Sequence, residues 1–345
     1  MKRKSNILEQ TASSQNIIMA WINVCKNRHN SQKAVERFSL FEQDLERNLN
    51  EVQDIIVNGN WTDIKYKHFQ RVQCGKVREI SFNDSVRDSV IQHALAQTAG
   101  RILIKSCIRD TYSGFKKRGT SYGRKRMIKF LSEYSSKEPI YILKFDVVHY
   151  YDNIDNEIMK HLIACKIKDA GILRLFNALI DSYPKGLPIG NYLSQLLANF
   201  YLSPFDHFMK DELAQKHYAR YCDDGVNLRN DKQEQKRILP QIIDFMHDYK
   251  LSIKPNVQIF PIERHGIDFL GYVVKRNVVY LRKRIERNIR KSNNAYQHKA
   301  DKHNLQSLLS YYGWAKYLTK GGTFWNAIVG KTVKDLAKEL KEIAA

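Results

Sequence analysis

Arg220-Tyr221-Cys222-Asp223-Asp224-Gly225-Val226 decides the fold. Two adjacent aspartates sit between β-favouring residues, and Asp224-Gly225 is a tight-turn signal. The pattern predicts a hairpin over 218–228 with both carboxylates at its tip, exposed and close together. Adjacent carboxylates repel, and a divalent cation relieves the repulsion. An ordinary solvated Asp-Asp-Gly turn has the same sequence signature.

A third acid shifts the balance toward chemistry. In Lys144-Phe145-Asp146-Val147-Val148-His149-Tyr150-Tyr151, an apolar strand over 140–148 carries a lone aspartate. Alone, Asp146 would pass as a strand-end cap. Beside a hairpin tip with two more acids, it completes a set of oxygen ligands of the kind Mg2+ prefers, a few carboxylates plus phosphates and water.

Outward from these acids the chain alternates between helical and strand patterns. Apolar positions at three- and four-residue spacing predict helix over 7–58, closed by Asn58-Gly59-Asn60. Short strands are expected over 61–82 and 266–281. Helices are expected over 84–107, 154–182, about 191–210, 233–250 and from 282 onward. Segment 115–129, with seven basic residues and no acid, reads as a loop entering a helix. Interleaved strands and helices with hairpin signals predict an α+β fold rather than a doubly wound parallel sheet.

Bulk properties narrow the partners. The 345 residues carry 57 Lys+Arg against 36 Asp+Glu, a formal charge of +21 with pI about 9.6, which suits a polyanion such as nucleic acid. A solubilising basic surface is the plainer alternative. Five scattered cysteines without CxxC spacing argue against a disulfide framework or a zinc site and fit a reducing, cytoplasmic setting. No apolar run approaches the ~18 residues of a membrane span, and no secretory leader is evident at Met1.

With those residues in place, the chain resembles reverse transcriptases. Tyr-x-Asp-Asp at 221–224 and Asp-x-x-x-x-Tyr at 146–151 are similar to the family's palm motifs. In the family's order there follow resemblances at Gly75-Lys76-Val77-Arg78-Glu79-Ile80 (fingers), Leu187-Pro188-Ile189-Gly190-Asn191-Tyr192-Leu193-Ser194-Gln195 (motif B), Lys254 (motif D) and Phe269-Leu270-Gly271-Tyr272 (primer grip). Several ordered motifs are more specific than any one alone. Ile189-Gly190 and Ser194-Gln195 stand where group II intron and retron enzymes carry Gln-Gly and Ser-Pro. This variant is similar to reverse transcriptases of diversity-generating retroelements, which copy a template RNA with errors at adenines and work with a small basic accessory protein. Tyr150-Tyr151, where Phe-Phe is commoner in that group, and Gly225 depart from the pattern.

The resemblance implies a right-hand polymerase: a helical extension over 1–60, fingers and palm over 61–278, and a helical thumb over 279–345. The 73 residues after Tyr272 suffice for a thumb but not for an added RNase H or integrase domain. It implies RNA-directed DNA synthesis with two Mg2+ ions (Mn2+ as a substitute) held by Asp146, Asp223, Asp224 and the carbonyl of Val147. The ions would activate a primer 3′-hydroxyl and stabilise pyrophosphate. Lys76, Arg78, Tyr151, Ile189 and Lys254 would meet the incoming dNTP. Gly190, Asn191, Ser194, Gln195, Tyr221, Gly271 and Tyr272 would meet template or primer. A bacterial or phage-encoded origin is expected; the alternatives are a defence-associated or intron- or retron-derived bacterial reverse transcriptase and a non-catalytic RNA-binding or maturase-like protein.

Overall fold

The computed structural model describes residues 4–26, 31–73 and 75–344; the side chains of Gln73, Lys76 and Ala344 lie outside that description, as does Cys74. Ten strands appear in chain order: β1 (Lys67–Gln73), β2 (Lys76–Phe82), β3 (Thr111–Tyr112), β4 (Tyr141–Asp146), β5 (Tyr218–Tyr221), β6 (Asp224–Arg229), β7 (Gln258–Pro261), β8 (Ile267–Phe269), β9 (Tyr272–Val274) and β10 (Val279–Leu281). They form a β1–β2 hairpin, a five-stranded sheet in the order β3-β5-β6-β4-β7, and a three-stranded sheet in the order β10-β9-β8. Among the named strands of the described residues, the short β3–β5 pairing alone is parallel, so the α+β expectation holds.

The five-stranded sheet works as a partition because side chains alternate across it. On β4, Leu143 and Phe145 enter a core shared with the N-terminal helices and the helix Lys232–Asp248. Ile142 enters a second core with Val226, Leu228, β8–β10 and the C-terminal helices. By the same alternation Lys144, Asp146 and Asp224 share the face of Ile142 and Val226. Among the described residues, the helix predicted over 7–58 divides into Leu8–Ala12, Ser14–Lys26, Gln32–Gln43 and Leu45–Asn58. Their Ile17, Val24, Val52 and Ile56 join the first core, so this extension is packed into the body rather than appended to it. The helix expected over about 191–210 divides into Tyr192–Tyr201, Ser203–His207 and a π-helical turn Phe208–Glu212, with Pro204 in the first turn after the first break.

The hairpin forms where predicted, but its turn lies two residues earlier than Asp224-Gly225. Tyr221 pairs with Asp224, so the two-residue turn is Cys222-Asp223, and Cys222 takes φ 56°. Gly225 is a strand residue opposite Arg220 and Phe145. A Cβ there would stand 2.3 Å from the Phe145 ring, so glycine makes room for an aromatic side chain rather than bending the chain. The expectation of exposed carboxylates is corrected accordingly: Asp223 and Asp224 are partly buried, because the sheet continues up to Asp224.

Beneath the turn lies a fully buried ion pair. Arg220 Nε and Nη2 donate to Asp206 Oδ1 and Oδ2 at 2.7 and 2.6 Å, both side chains being 0 % exposed. Thr111 Oγ1 and the Tyr218 hydroxyl donate to the same carboxylate. Arg220 Nη1 and Nη2 also donate to the carbonyls of Cys222 and Asn199. Removing one member of a buried pair strands the other. Asp206→Ala is expected to lower unfolding stability by about 3–5 kcal/mol, read as a drop in the urea midpoint followed by circular dichroism.

Candidate active site

The sheet sets the acids in place. Asp146 ends β4, Asp224 begins β6, and the two are register partners; Asp223 closes the turn beside them. Like charges directly opposed across a strand pair repel. Desolvation first, then the nearby charge of Asp146, pushes the Asp223 carboxyl up to about 7. Burial pushes Asp224 up to about 6; the Lys144 ammonium opposes that rise and Asp146 adds to it.

Two lysines meet these acids. Lys254 Nζ donates to Asp146 Oδ2 at 2.7 Å, and its backbone N–H donates to the Asp146 carbonyl at 2.8 Å. Lys144 Nζ stands 3.5 Å from Asp224 Oδ2 and donates to the Asp268 carbonyl. Asp146 Oδ1 and Asp224 Oδ1 are buried without a hydrogen-bond partner. Such oxygens are costly to bury, and a hard cation with oxygen ligands would satisfy them. Among the described residues, no three His, Cys, Asp or Glu side chains are gathered into a metal cage. The donor set therefore fits a divalent cation by its chemistry, while the lysines occupy one oxygen of each register-paired acid. The bridge between Val147 and Ile253 is closed by the N–H of Val148 and the carbonyl of Asp146. Those bonds leave the carbonyl of Val147 out of the ladder.

A cavity of about 910 Å3 opens beside the turn. Arg78, Val147, Tyr151, Ile189, Gln195, Tyr221, Asp223 and Lys254 line it, so residues from five separated motifs meet there. The Tyr151 hydroxyl lies 3.7 Å from Cys222 Sγ. Gly190, Asn191 and Ser194 line an adjoining cavity.

Other expected contacts are revised. Asn191 is buried; its Oδ1 accepts from the Asn83 N–H and its Nδ2 donates to the Tyr66 hydroxyl, so it fastens motif B to the end of β2. Ser194 is also buried. Gln195 stays exposed while donating to Ser113 Oγ. Tyr272 is 1 % exposed and packs on Trp314, so its ring belongs to the second core rather than to a strand-facing surface; a Cβ at Gly271 would meet the same indole. The side chain of Lys76 lies outside the described residues. Of the basic residues in 115–129, Arg126 is spent on Asp110 at 2.7 Å. Lys144 went unnoticed in the sequence, although its place two residues before Asp146 put it on the same strand face.

Acids at the end of a central strand and on the adjoining hairpin, over a cleft lined by an arginine, a tyrosine and a lysine, define the palm of a template-directed polymerase. The family model described as reverse transcriptase (RNA-dependent DNA polymerase) matches residues 65–274, and the chain belongs to that family. No curated protein matches it. Among solved structures it is similar to an apo telomerase from Candida tropicalis truncated from its C-terminal domain, at 14 % identity and TM-score 0.46, over 63 % of this chain and 53 % of that one. It is also similar to a telomerase from Candida albicans in complex with a TWJ fragment of telomeric RNA, at 11 % identity and TM-score 0.48, over 83 % and 64 %. The chain thus spans between half and two-thirds of those chains. Among the described residues, no helix is long and apolar enough to cross a membrane.

The raised carboxyls carry a sign. The folded state holds their protons more tightly than the unfolded chain does. Their contribution to stability is therefore present below about pH 4 and lost as pH rises through about 6 to 7. Without divalent cations, Asp223→Asn is expected to melt above the parent protein at pH 8, with the gap closing toward pH 4, as scanning calorimetry at several pH values would show.

Proposed function

We propose that this protein copies RNA into DNA from dNTPs, extending a primer by nucleotidyl transfer with two divalent cations, Mg2+ foremost and Mn2+ as a substitute. The observation that carries the proposal is the register pairing of Asp146 with Asp224, with Asp223 between them at the edge of the cleft. When bound, the cations would supply positive charge to the reacting phosphate and acidify the attacking hydroxyl. The chain's own groups supply the rest. Asp146, Asp223, Asp224 and the Val147 carbonyl offer oxygens. Arg78, with Lys76 beside it on β2, offers a forked donor to the triphosphate. Tyr151, held against Cys222, would sit under the sugar and exclude a 2′-hydroxyl. Lys254 would protonate the departing pyrophosphate.

In this scheme residues 61–278 act as fingers and palm and 279–345 as thumb. On the helix Lys283–His298, Lys283, Arg284, Arg287, Arg290 and Lys291 are exposed while Ile285, Ile289 and Tyr296 are buried. That outer face suits backbone phosphates, and binding through it would weaken steeply with salt.

The motif B sequence supports a narrower role: an error-prone enzyme of a diversity-generating retroelement, miscopying template adenines and working with a small basic accessory protein. Ile189 lines the cleft and carries no side-chain hydrogen-bonding group where other families place an amide. Losing a polar contact of about 1 kcal/mol loosens base-pair control several-fold.

Purified protein with Mg2+, a primed RNA template and dNTPs is expected to extend the primer, and Asp223→Ala to abolish extension. Equal extension by both proteins sinks the polymerase assignment. Ile189→Gln is expected to lower misincorporation opposite template adenine several-fold, scored by sequencing the products. An unchanged error spectrum removes the argument for infidelity at this residue.

A further inference from the structure

Tyr192 is a large aromatic side chain left 54 % exposed at the start of the helix Tyr192–Tyr201. Its ring lies on that of His93, with centroids 3.8 Å apart and planes 9° apart, and His93 is buried. One face of the tyrosine is therefore covered and the other is open. The mount is rigid. The Leu193 N–H donates to Gln92 Oε1 at 3.3 Å, which ties the helix start to the helix carrying His93. Asn191 is fastened to Asn83 and Tyr66, and Gly190 takes φ 135° with its backbone against Ser81. Burial pushes the His93 imidazole down to about 4, so the stacked pair is uncharged at neutral pH.

The position of this pair gives it a use. Tyr192 and His93 line a cavity of about 560 Å3 with Gly190. That cavity shares Tyr151, Ile189 and Gln195 with the larger cleft beside Asp223. It leads on from the nucleotide side of the cleft, and Gly190, whose missing Cβ would stand 2.9 Å from Phe82, lets the platform's mount lie close against β2.

We propose that the open face of Tyr192, backed by His93, is a stacking platform for the unpaired template base next in line to be copied. The proposal rests on the polymerase assignment above. An unpaired base fits better than a protein segment because the platform is one flat ring at the mouth of the nucleotide cleft rather than an extended apolar groove. Stacking on a ring accepts any base, as a template reader must.

The test binds the full chain, without dNTPs, to a primer annealed to RNA carrying 2-aminopurine at the first unpaired position. Binding is expected to quench the probe in the parent protein and in Tyr192→Phe, and to leave it bright in Tyr192→Ala. Affinity of Tyr192→Ala for overhanging templates should fall about tenfold, with a blunt duplex bound as before. An unaltered quench in Tyr192→Ala overturns the platform, and so does an equal loss of affinity for the blunt duplex. Asp223→Asn separates this from the chemistry: it should lose extension and keep the quench. A parent protein that quenches but never extends any primer refutes the polymerase assignment alone; one that extends without quenching refutes the platform alone.

Discussion

The buried pair between Arg220 and Asp206 is the constraint on which the rest of the site depends. Two charges removed from water are tolerable only when every donor and acceptor is met. Here the carboxylate takes four hydrogen bonds, from two guanidinium nitrogens, Thr111 and Tyr218. The guanidinium spends its remaining reach on the carbonyls of Cys222 and Asn199. One residue thereby joins β5, the helix Ser203–His207, the end of the helix Tyr192–Tyr201 and the turn that carries Asp223. Cys222 sits at φ 56°, a conformation that most side chains avoid. The bond from Arg220 to its carbonyl helps hold it there.

The partition made by the sheet follows from the same local rules. Alternation along β4 sends Phe145 toward the helical core and Asp146 to the opposite face. Gly225, facing Phe145, removes the one Cβ that would force the strands apart. The acids can then approach in register only because their repulsion is answered within the protein, by Lys144 and Lys254. Burial, with the charge of Asp146 added, still raises the proton affinity of Asp223 and Asp224.

How much of this was legible in the sequence depends on the range of the interaction. Period-two and helical spacing exposed β4, the hairpin and the helix Lys232–Asp248, because those signals are local. The order of motifs led to the family and to the cleft lined by Arg78, Tyr151, Ile189 and Lys254. The placement of the turn at Cys222-Asp223 was hidden because Asp-Gly is normally a turn signal, and the ring that claimed the space beside Gly225 is 80 residues upstream. Nothing in the spacing of Asp206 and Arg220 announces a pair, and nothing in Tyr272 announces burial on Trp314. Asn191 shows the same limit: its motif suggested a strand-facing amide, and only tertiary structure shows that amide tied at its oxygen to Asn83 and at its nitrogen to Tyr66.

Two kinds of ion pair divide the work. Arg220 and Asp206 are each 0 % exposed, and breaking them leaves an unpaired charge in a dry interior, so that pair is permanent scaffold. Lys254 with Asp146 is 32 % and 38 % exposed, and Lys144 with Asp224 is 24 % and 25 %. Pairs reached by water are worth little, about 0–1 kcal/mol when fully exposed, and can be exchanged for a stronger partner at small loss. A divalent cation carries twice the charge of an ammonium, and its arrival would release Lys254 toward the cleft that it already lines. The lysines let the acids fold together in register, whereas Arg220 fixes where that meeting takes place.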